Sequence, residues 1–220
     1  MWYWLLKHIV VGPVLRLLGR PRIEGLHHVP KKGPLIIAAN HLAVVDSLYL
    51  CLVLRRRVTF IAKQEYFTEG GWRGRVNRFV MNATGQVPVD RTGGSAGSDS
   101  LAAAVRILES GGVWGIHPEG TRSPDGRVYR GRTGVIRVAM QTGAPVIPVV
   151  LAGTDRVNPR DGRFLRPAKV SISFGHPRYF LPAGQQAVRH ATDELMADIV
   201  SRSGRPYVDC YATTFKQQAA

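Results

Sequence analysis

A histidine and an aspartate five positions apart are residues whose types and spacing could do acid–base chemistry. The stretch NHLAVVD places His41 and Asp46 directly after the apolar run PLIIAA. A carboxylate bonded to one imidazole nitrogen fixes the tautomer and raises the basicity of the other nitrogen. The pair could therefore act as a general base, although on its own it fits a structural cap better than a reaction centre.

The spacing limits how the two side chains can meet. On a regular helix, five positions correspond to a rotation of about 500°, which leaves the side chains roughly 140° apart. They meet only if His41 lies in a turn and Asp46 at the start of a helix. PLIIAA predicts a short buried strand, and Asp46-Ser47 predicts a helix N-cap before LYLCLVL. The pair therefore straddles a predicted strand-to-helix junction.

No protein nucleophile accompanies the pair. The sequence contains no H-E-x-x-H motif and no cluster of cysteine and histidine, and its G-x-S-x-G string, GGSAG at 93–97, lies within the small-residue stretch RTGGSAGSDS rather than directly after an apolar run. We therefore expect the proton that His41 removes to come from a substrate hydroxyl, and we expect no metal site.

Charged side chains follow other apolar stretches in the same way. Lys63 follows VTFIA, Arg91 follows QVPVD, and Glu119 and Arg122 follow VWGIHP. The carboxyl ends of strands in an open α/β sheet gather at one edge, so we expect these side chains to converge with the histidine–aspartate pair. Arginine suits bidentate phosphate contacts, so the set indicates an anionic ligand. Glu119 is expected beside Arg122, where it would orient the guanidinium, form a plain salt bridge or accept a substrate hydroxyl.

Strand-like and helix-like stretches alternate along most of the chain. This order predicts an α/β fold: a layered, largely parallel or mixed β-sheet flanked by helices. Residues 91–100 (RTGGSAGSDS) are expected to be a loop, and residues 185–203 a terminal helix. With 220 residues, of which 45% are hydrophobic and 20% charged, the chain fits one ordered domain, which we assign to residues 23–220.

The first 22 residues are apolar and aromatic, but charge interrupts them. Lys7 and Arg16 break the run before it reaches the roughly 20 apolar residues of a membrane-spanning helix. Trp2 and Trp4 are residues that favour the headgroup region of a bilayer. We predict that residues 1–22 form a short amphipathic helix lying on an anionic membrane surface. The alternative is a helix whose apolar face packs on the domain.

Net charge and cysteine content indicate which classes of partner and which redox compartment to expect. The chain has 30 Lys and Arg against 15 Asp and Glu, a formal charge of +15 that attracts anionic lipid, phosphorylated substrates or nucleic acid. It contains no recognisable nucleic-acid module and no aromatics interleaved with the basic residues, so no nucleic-acid partner is expected. Cys51 and Cys210 form neither a disulfide framework nor a metal spacing, which predicts buried free thiols in a reducing cytoplasm.

Four short motifs together resemble the glycerophospholipid acyltransferases of the lysophosphatidic acid acyltransferase type. They are NHLAVVD at 40–46, GQVPVDR at 85–91, EGTRS at 119–123 and APVIPV at 144–149. Because all four occur in the family's order, the resemblance is specific over roughly residues 30–155, and it is thin outside that range.

The resemblance implies an O-acyltransferase of phospholipid biosynthesis. A fatty acyl group would move from acyl-CoA or acyl carrier protein to the free hydroxyl of 1-acyl-glycerol-3-phosphate, giving phosphatidic acid. His41 would be the catalytic base and Asp46 its partner. The glycerol phosphate would be bound by Lys63, Arg91, Glu119, Gly120, Thr121 and Arg122. No metal, cofactor or covalent acyl-enzyme is implied, and the enzyme would be peripheral on the cytoplasmic face of the cell membrane.

One residue departs from the family's pattern. His117 stands where the family usually carries an aromatic residue such as phenylalanine, and we expect it to fill that space. Other acceptors remain open, namely another lysophospholipid, a glycolipid or an aminolipid. A non-catalytic basic module that binds lipid or nucleic acid is a remote alternative, because it makes the four ordered motifs a coincidence. The sequence does not identify an oxyanion site.

Overall fold

The structure is a computed structural model that describes residues 2–89, 96–160, 162 and 164–218. It contains short strands separated by helices over most of this length. The strands are β1 (Arg22–Glu24), β2 (Leu35–Ala39), β3 (Val58–Lys63), β4 (Val87–Val89), β5 (Val113–Ile116), β6 (Val128–Tyr129), β7 (Val146–Ala152), β8 (Ser171–Phe174) and β9 (Tyr207–Val208).

Helices connect most of these strands. A π-helical turn at Leu6–Val10 joins the first two helices, and a 3₁₀ turn at Leu26–His28 follows β1. The α-helices are α1 (Trp2–Leu5), α2 (Val11–Gly19), α3 (Val45–Val53), α4 (Glu65–Thr68), α5 (Gly71–Thr84), α6 (Ala96–Glu109), α7 (Gly134–Thr142), α8 (Thr154–Val157), α9 (Gln185–Ser203) and α10 (Ala212–Gln218).

Strand β2 lies at the centre of a seven-stranded sheet with the order β1-β8-β7-β2-β5-β3-β4. The five strands from β7 to β4 are parallel to one another. Strand β8 is antiparallel to β7 and parallel to β1. The predicted α/β class with a largely parallel, mixed sheet is therefore confirmed. Because β2, β3, β5 and β7 are parallel, their carboxyl ends meet at one edge of the sheet.

The side chains of β2 alternate between two hydrophobic cores. Leu35, Ile37 and Ala39 belong to the core that includes residues of α3, whereas Ile36 and Ala38 belong to the core that includes α6, α7 and α9. All of them are fully buried. A strand covered on both faces needs apolar side chains at every position, which explains the continuous run in the sequence. The helices on both faces hold the end of β2 rigidly.

One face of the N-terminal helices packs on α3. The Tyr49 hydroxyl donates a hydrogen bond of 3.0 Å to the Leu15 carbonyl, and Leu15 belongs to the core. A Cβ atom on Gly19 would lie 2.1 Å from the Tyr49 hydroxyl oxygen, so glycine permits this close approach. Packing on the domain, the alternative expectation for this segment, is therefore correct for one face. The division of the chain at residue 22 stays a prediction.

Other apolar side chains of the same segment are exposed. Leu17 is 72% and Trp4 is 59% exposed. The Trp2 ring meets the Phe79 ring of α5 edge-on, with centroids 5.3 Å apart, so α5 adjoins this surface. Among the helices that the structure describes, none combines the length and the apolar character needed to cross a membrane.

The loop predicted at residues 91–100 is wrong for its second half. Residues 96–100 begin α6, whereas residues 90–95 lie outside the described residues. The polar stretch after β5 contains β6, which pairs with β9 in a separate two-stranded sheet. A two-residue strand is too short to show an alternation of apolar and polar residues. In addition, β6 and β9 lie far apart in sequence, so their pairing leaves no local signal. The helix predicted at residues 185–203 is confirmed as α9, but it is not terminal, because β9 and α10 follow it.

The two cysteines are free, and each is half-buried. The prediction of free thiols is confirmed, but the prediction that they are buried is wrong, because both residues keep part of their surface exposed. The compartment inferred from them stays a prediction.

Candidate active site

His41 and Asp46 meet across the turn between β2 and α3. The His41 Nδ1 lies 3.0 Å from the Asp46 Oδ2. The Asp46 side chain is fully buried, whereas the His41 side chain keeps 18% of its surface exposed. The expectation that the pair meets across a strand-to-helix turn is confirmed.

Asp46 does not cap α3, so the predicted N-cap is wrong. The helix begins at Val45, and the Asp46 Oδ2 accepts hydrogen bonds from the backbone amides of Leu42 at 2.6 Å and Ala43 at 2.8 Å. These amides precede the helix, so the carboxylate points back into the turn that carries His41. It organises the turn and the imidazole together.

The environment of Asp46 favours its ionised form. Burial alone would raise the pKa of Asp46, but the hydrogen bond from His41 and the attraction to the nearby histidines hold this pKa below its usual range. A carboxylate can only accept, so the His41 Nδ1 carries the proton and Nε2 carries the lone pair. Within the described residues, the His41 Nε2 has no hydrogen-bond partner. It is therefore available to take a proton from a substrate.

Asn40 fastens the end of β2 to β7. Its Nδ2 donates to the Leu151 carbonyl at 3.0 Å, and its Oδ1 accepts from the Leu151 amide at 2.8 Å. The Asn40 side chain is fully buried. Its two hydrogen bonds fix the position of the backbone directly before His41. Sequence reasoning gave Asn40 no role, although an amide at the end of a buried strand was a usable indication.

The ring of His117, just after β5, lies flat against the ring of His41. The two ring centroids are 3.9 Å apart and the planes differ by 8°. Phe60 stacks on His117 at a centroid distance of 5.6 Å. Gly115 makes room for Phe60, because a Cβ atom there would lie 2.4 Å from the Phe60 ring. His117 thus fills the space of an aromatic residue, as expected, and it also forms polar contacts with its neighbours.

Glu119 connects two loops to each other. Its Oε1 accepts the His41 amide at 2.9 Å, and its Oε2 accepts the Tyr129 amide at 3.0 Å. Glu119 is 1% exposed and forms no ion pair with Arg122 among the residues described. The expected contact with Arg122 is wrong: distant backbone amides, rather than a guanidinium, donate to its two oxygens. Gly120 closes the turn at a φ of +76°, which favours glycine.

The protonation of Glu119 links stability to pH. Burial raises the pKa of Glu119 to about 7, although two backbone amides oppose the shift. A carboxyl pKa raised on folding adds stability that is complete below the unfolded pKa of about 4.3 and is lost as the pH rises through the folded value. Glutamine does not titrate. We therefore expect the stability of Glu119→Gln relative to the wild type to rise by about 3 kcal/mol between pH 4.5 and pH 8 in denaturant titrations. A difference that is independent of pH would contradict the shift.

The predicted phosphate ligands are only partly placed. Lys63 ends β3 with its backbone opposite Val89, but its side chain lies outside the description. Arg91 lies outside the described residues. Arg122 is half-buried, and its side chain has no hydrogen bond or ion pair in the part of the chain that the structure covers. Thr121 is half-buried in the same turn. Convergence of these residues on one anion stays a prediction.

The described residues contain no group of three or more histidine, cysteine, aspartate or glutamate side chains that could hold a metal ion. Ser123, which follows Arg122, donates its amide to the His41 carbonyl at 2.8 Å. This contact brings the loop of Arg122 to the backbone of His41. The arrangement combines a buried acid, an imidazole with a free nitrogen and a half-buried arginine in the loop that contacts the backbone of His41.

Comparisons with known proteins point to one family. Residues 20–152 match the sequence model of the family described as Acyltransferase. The chain is 30% identical over 176 residues to the 1-acyl-sn-glycerol-3-phosphate acyltransferase of Limnanthes alba, covering 79% of this chain and 60% of that protein. It is 28% identical over 201 residues to 1-acyl-sn-glycerol-3-phosphate acyltransferase alpha of Mus musculus, covering 87% and 68%. The chain thus spans about 60% of the length of the first of these relatives.

The fold has a solved counterpart. The crystal structure of the 1-acyl-sn-glycerophosphate (LPA) acyltransferase PlsC from Thermotoga maritima superposes with a TM-score of 0.66 at 28% identity. The match covers 84% of this chain and 73% of that one. Because the family model spans more than half of the chain and the fold agrees, this protein belongs to the acyltransferase family.

Proposed function

We propose that the protein transfers a fatty acyl group from an acyl thioester to the free hydroxyl of 1-acyl-glycerol-3-phosphate, forming phosphatidic acid. The observation that carries the proposal is the His41–Asp46 pair with its free Nε2, together with the Ser123–His41 contact that ties the loop of Arg122 to the backbone of His41. A free imidazole nitrogen suits an alcohol substrate, and a guanidinium suits its phosphate. The relatives are named as 1-acyl-sn-glycerol-3-phosphate acyltransferases, which supports the same acceptor.

In this reaction the acceptor hydroxyl gives its proton to the His41 Nε2 as its oxygen attacks the thioester carbonyl carbon. The tetrahedral intermediate then collapses, the carbon–sulfur bond breaks, and the imidazolium returns the proton to the departing thiolate. The products are an ester and a free thiol. Asp46 stabilises the imidazolium between the two steps. The mechanism uses neither a metal nor a cofactor.

The proposal is tested with purified protein and labelled acyl donor. Acyl-CoA and acyl carrier protein are supplied in parallel, each with lysophosphatidic acid, lysophosphatidylcholine, a glycolipid or an aminolipid as the acceptor. We expect labelled phosphatidic acid with at least one donor and a far slower reaction with the other acceptors. Preferential acylation of another acceptor would overturn the choice of substrate. No acylation of any acceptor would overturn the proposed activity.

Arg122→Ala is expected to weaken binding of the acceptor rather than slow the chemical step. Loss of a hydrogen bond between charged groups costs about 1.5–3 kcal/mol, so we expect the acceptor KM to rise about 10- to 100-fold at a similar kcat. The measurement is steady-state kinetics with lysophosphatidic acid at saturating donor.

The matched control for Arg122 is Arg106→Ala, which removes an exposed arginine of α6. We expect wild-type kinetics from this variant. Monoacylglycerol, which lacks the phosphate, provides a second control. If Arg122 binds the phosphate, Arg122→Ala should lower the ratio of kcat/KM for lysophosphatidic acid to kcat/KM for monoacylglycerol. An unchanged preference would contradict the assignment.

We further propose that the protein works as a peripheral protein on an anionic membrane, at the cytoplasmic face of the cell membrane. Exposed apolar side chains cover the N-terminal helices and the adjoining α5. They are Trp2, Trp4, Ile9, Val10, Val14, Leu17, Trp72, Val76 and Phe79. Arg75 and Arg78 of α5 are exposed among them. An apolar surface next to arginines suits the boundary of a bilayer with anionic headgroups.

Leu17→Asp is expected to weaken membrane binding without affecting the fold. Leu17 is 72% exposed, so the change removes little packing from the folded protein. Burying a leucine contributes about 1.5–3 kcal/mol, so we expect at least a roughly tenfold loss of affinity for phosphatidylglycerol vesicles in sedimentation.

The matched control for Leu17 is Leu181→Asp. Leu181 is 83% exposed and lies next to Phe180, which packs on the core at the opposite face of the sheet. Equal losses of vesicle binding in the two variants would contradict a docking surface at the N-terminal helices.

A further inference from the structure

His117 is held in one tautomer by three hydrogen bonds. Its Nδ1 lies 3.0 Å from the carbonyl oxygen of Ala39 and 3.1 Å from that of Asn40. A carbonyl oxygen can only accept, so Nδ1 carries the proton. Nε2 is then the acceptor, and the Ser47 hydroxyl donates to it at 3.1 Å. Both edges of the ring are therefore anchored to the protein.

A neutral ring in this position suits a neighbour that becomes charged. Burial and repulsion from His41 lower the pKa of His117 to about 3, so the ring is neutral at neutral pH. Its face lies against His41 at a centroid distance of 3.9 Å. The electron-rich face of a neutral aromatic ring attracts a cation, which favours the imidazolium that His41 becomes during proton transfer.

The hydrogen bond to Asp46 does not by itself fix the plane of the His41 ring. Hydrogen bonds tolerate bending, and a tilt of about 30° at Nδ1 would move Nε2, on the far side of the ring, by roughly 1 Å. A misplacement of that size can slow an enzyme about 10²-fold. The flat contact with His117 blocks a tilt toward that ring, because the two rings already touch at a centroid distance of 3.9 Å.

We propose that His117 is a positioning residue, held by Ser47 and by the carbonyls of Ala39 and Asn40, that fixes the plane of the His41 ring. The inference rests on the proposed role of His41 as the general base. Asp46 and Ser47 are consecutive residues of α3. Helix α3 therefore contacts the edge of the His41 ring directly through Asp46. It supports the face of the same ring indirectly, through Ser47 and His117.

A double-mutant cycle tests the connection. Ser47→Ala removes the donor to His117 and leaves the stacked ring in place, whereas His117→Phe keeps a stacked ring and removes all of its hydrogen bonds. We expect kcat to fall about 3- to 10-fold in Ser47→Ala and about 10- to 30-fold in His117→Phe, with an unchanged acceptor KM. The double variant should match His117→Phe, because both changes remove the same bond.

Controls separate positioning from general damage to the fold. Ser110→Ala removes another serine that donates to a backbone carbonyl, at the exposed end of α6, and should keep the wild-type kcat. Losses that multiply in the double variant, or a wild-type kcat in both single variants, would overturn the proposal. A change confined to the acceptor KM would overturn it as well.

A measurement without substrate tests the stack directly. In side-chain NMR we expect His117 to stay in its Nδ1–H form between about pH 5 and 8 and the His41 ring protons to be shifted upfield by the stacked ring. The upfield shift should disappear in His117→Ala. A wild-type protein without this shift has no stack, which overturns the proposal. If the enzyme acylates a different acceptor, the proposed substrate is wrong, while the kcat ratios with that acceptor still decide the role of His117.

Discussion

Replacing His41 by alanine is expected to lower kcat about 10²- to 10⁴-fold, the range that a positioned general base contributes. The Nε2 of His41 is free, and its Nδ1 is bonded to a buried carboxylate. Alanine removes the imidazole nitrogen that, in the proposed mechanism, takes the proton of the acceptor. The KM for the acceptor should stay close to the wild type, because in the proposed mechanism the imidazole takes the proton and does not hold the phosphate. Single-turnover kinetics with labelled donor measures the chemical step directly.

The control for His41 is His190→Ala on α9. His190 has a side chain that is 79% exposed, and it lies four residues from its partner Glu194 on the same helix. This variant should keep the wild-type kcat. Turnover of His41→Ala within about threefold of the wild type would rule out His41 as the base, since even a weak general base contributes about 10²-fold.

Asp46→Asn is expected to lower kcat about 10³-fold while the fold persists. The Asp46 Oδ2 accepts hydrogen bonds from the His41 ring and from the amides of Leu42 and Ala43. An asparagine oxygen can accept the same bonds, but it carries no charge to stabilise the imidazolium. The same substitution next to a catalytic histidine in a serine protease costs about 10⁴-fold. Steady-state kinetics together with circular dichroism separates lost chemistry from lost structure.

The pH dependence of stability provides an independent check on Asp46. Its lowered pKa means that the ionised carboxylate stabilises the folded state above the usual carboxyl pKa. This stability is lost as the pH falls through the lower folded-state value. We expect the wild type to exceed Asp46→Asn in stability at neutral pH and the difference to shrink in acid. A difference that is constant from neutral to acidic pH would contradict an ionised, buried Asp46.

The packing of the N-terminal segment changes how a membrane anchor can be tested. The sequence predicts an amphipathic helix separate from the domain, so deletion of residues 1–20 would be the obvious experiment. In the structure this deletion would remove Leu15 from the core and the acceptor of the Tyr49 hydroxyl. Lost vesicle binding would then be confounded with lost stability. A substitution at exposed Leu17 avoids this problem.

Several features of the site could be predicted because they depend on local geometry. The meeting of His41 and Asp46 follows from a spacing that closes only across a strand-to-helix turn. The position of Glu119 near His41 follows from the parallel order of β2 and β5, whose carboxyl ends lie side by side. The apolar run of β2 and the family motifs together indicated both the α/β fold and the acyltransferase family.

The partners of the buried polar groups could not be predicted in this way. Glu119 was expected against Arg122 and instead accepts the amides of His41 and Tyr129. Ser47 was assigned to a helix cap and instead donates to His117, 70 positions away. Sequence periodicity shows which face of an element is buried, but it does not show which distant donor a buried oxygen meets.

The sequence by itself therefore determined the family, the layered fold and the residues that could act as acid, base and anion ligand. Those properties depend on residue type, local spacing and the parallel order of strands. The tertiary structure alone decided that Asp46 points back into the turn, that Glu119 joins two loops and that His117 lies flat on His41. The physical reason is that a buried polar group must find a hydrogen-bond partner, and packing of distant segments decides which partner is within reach.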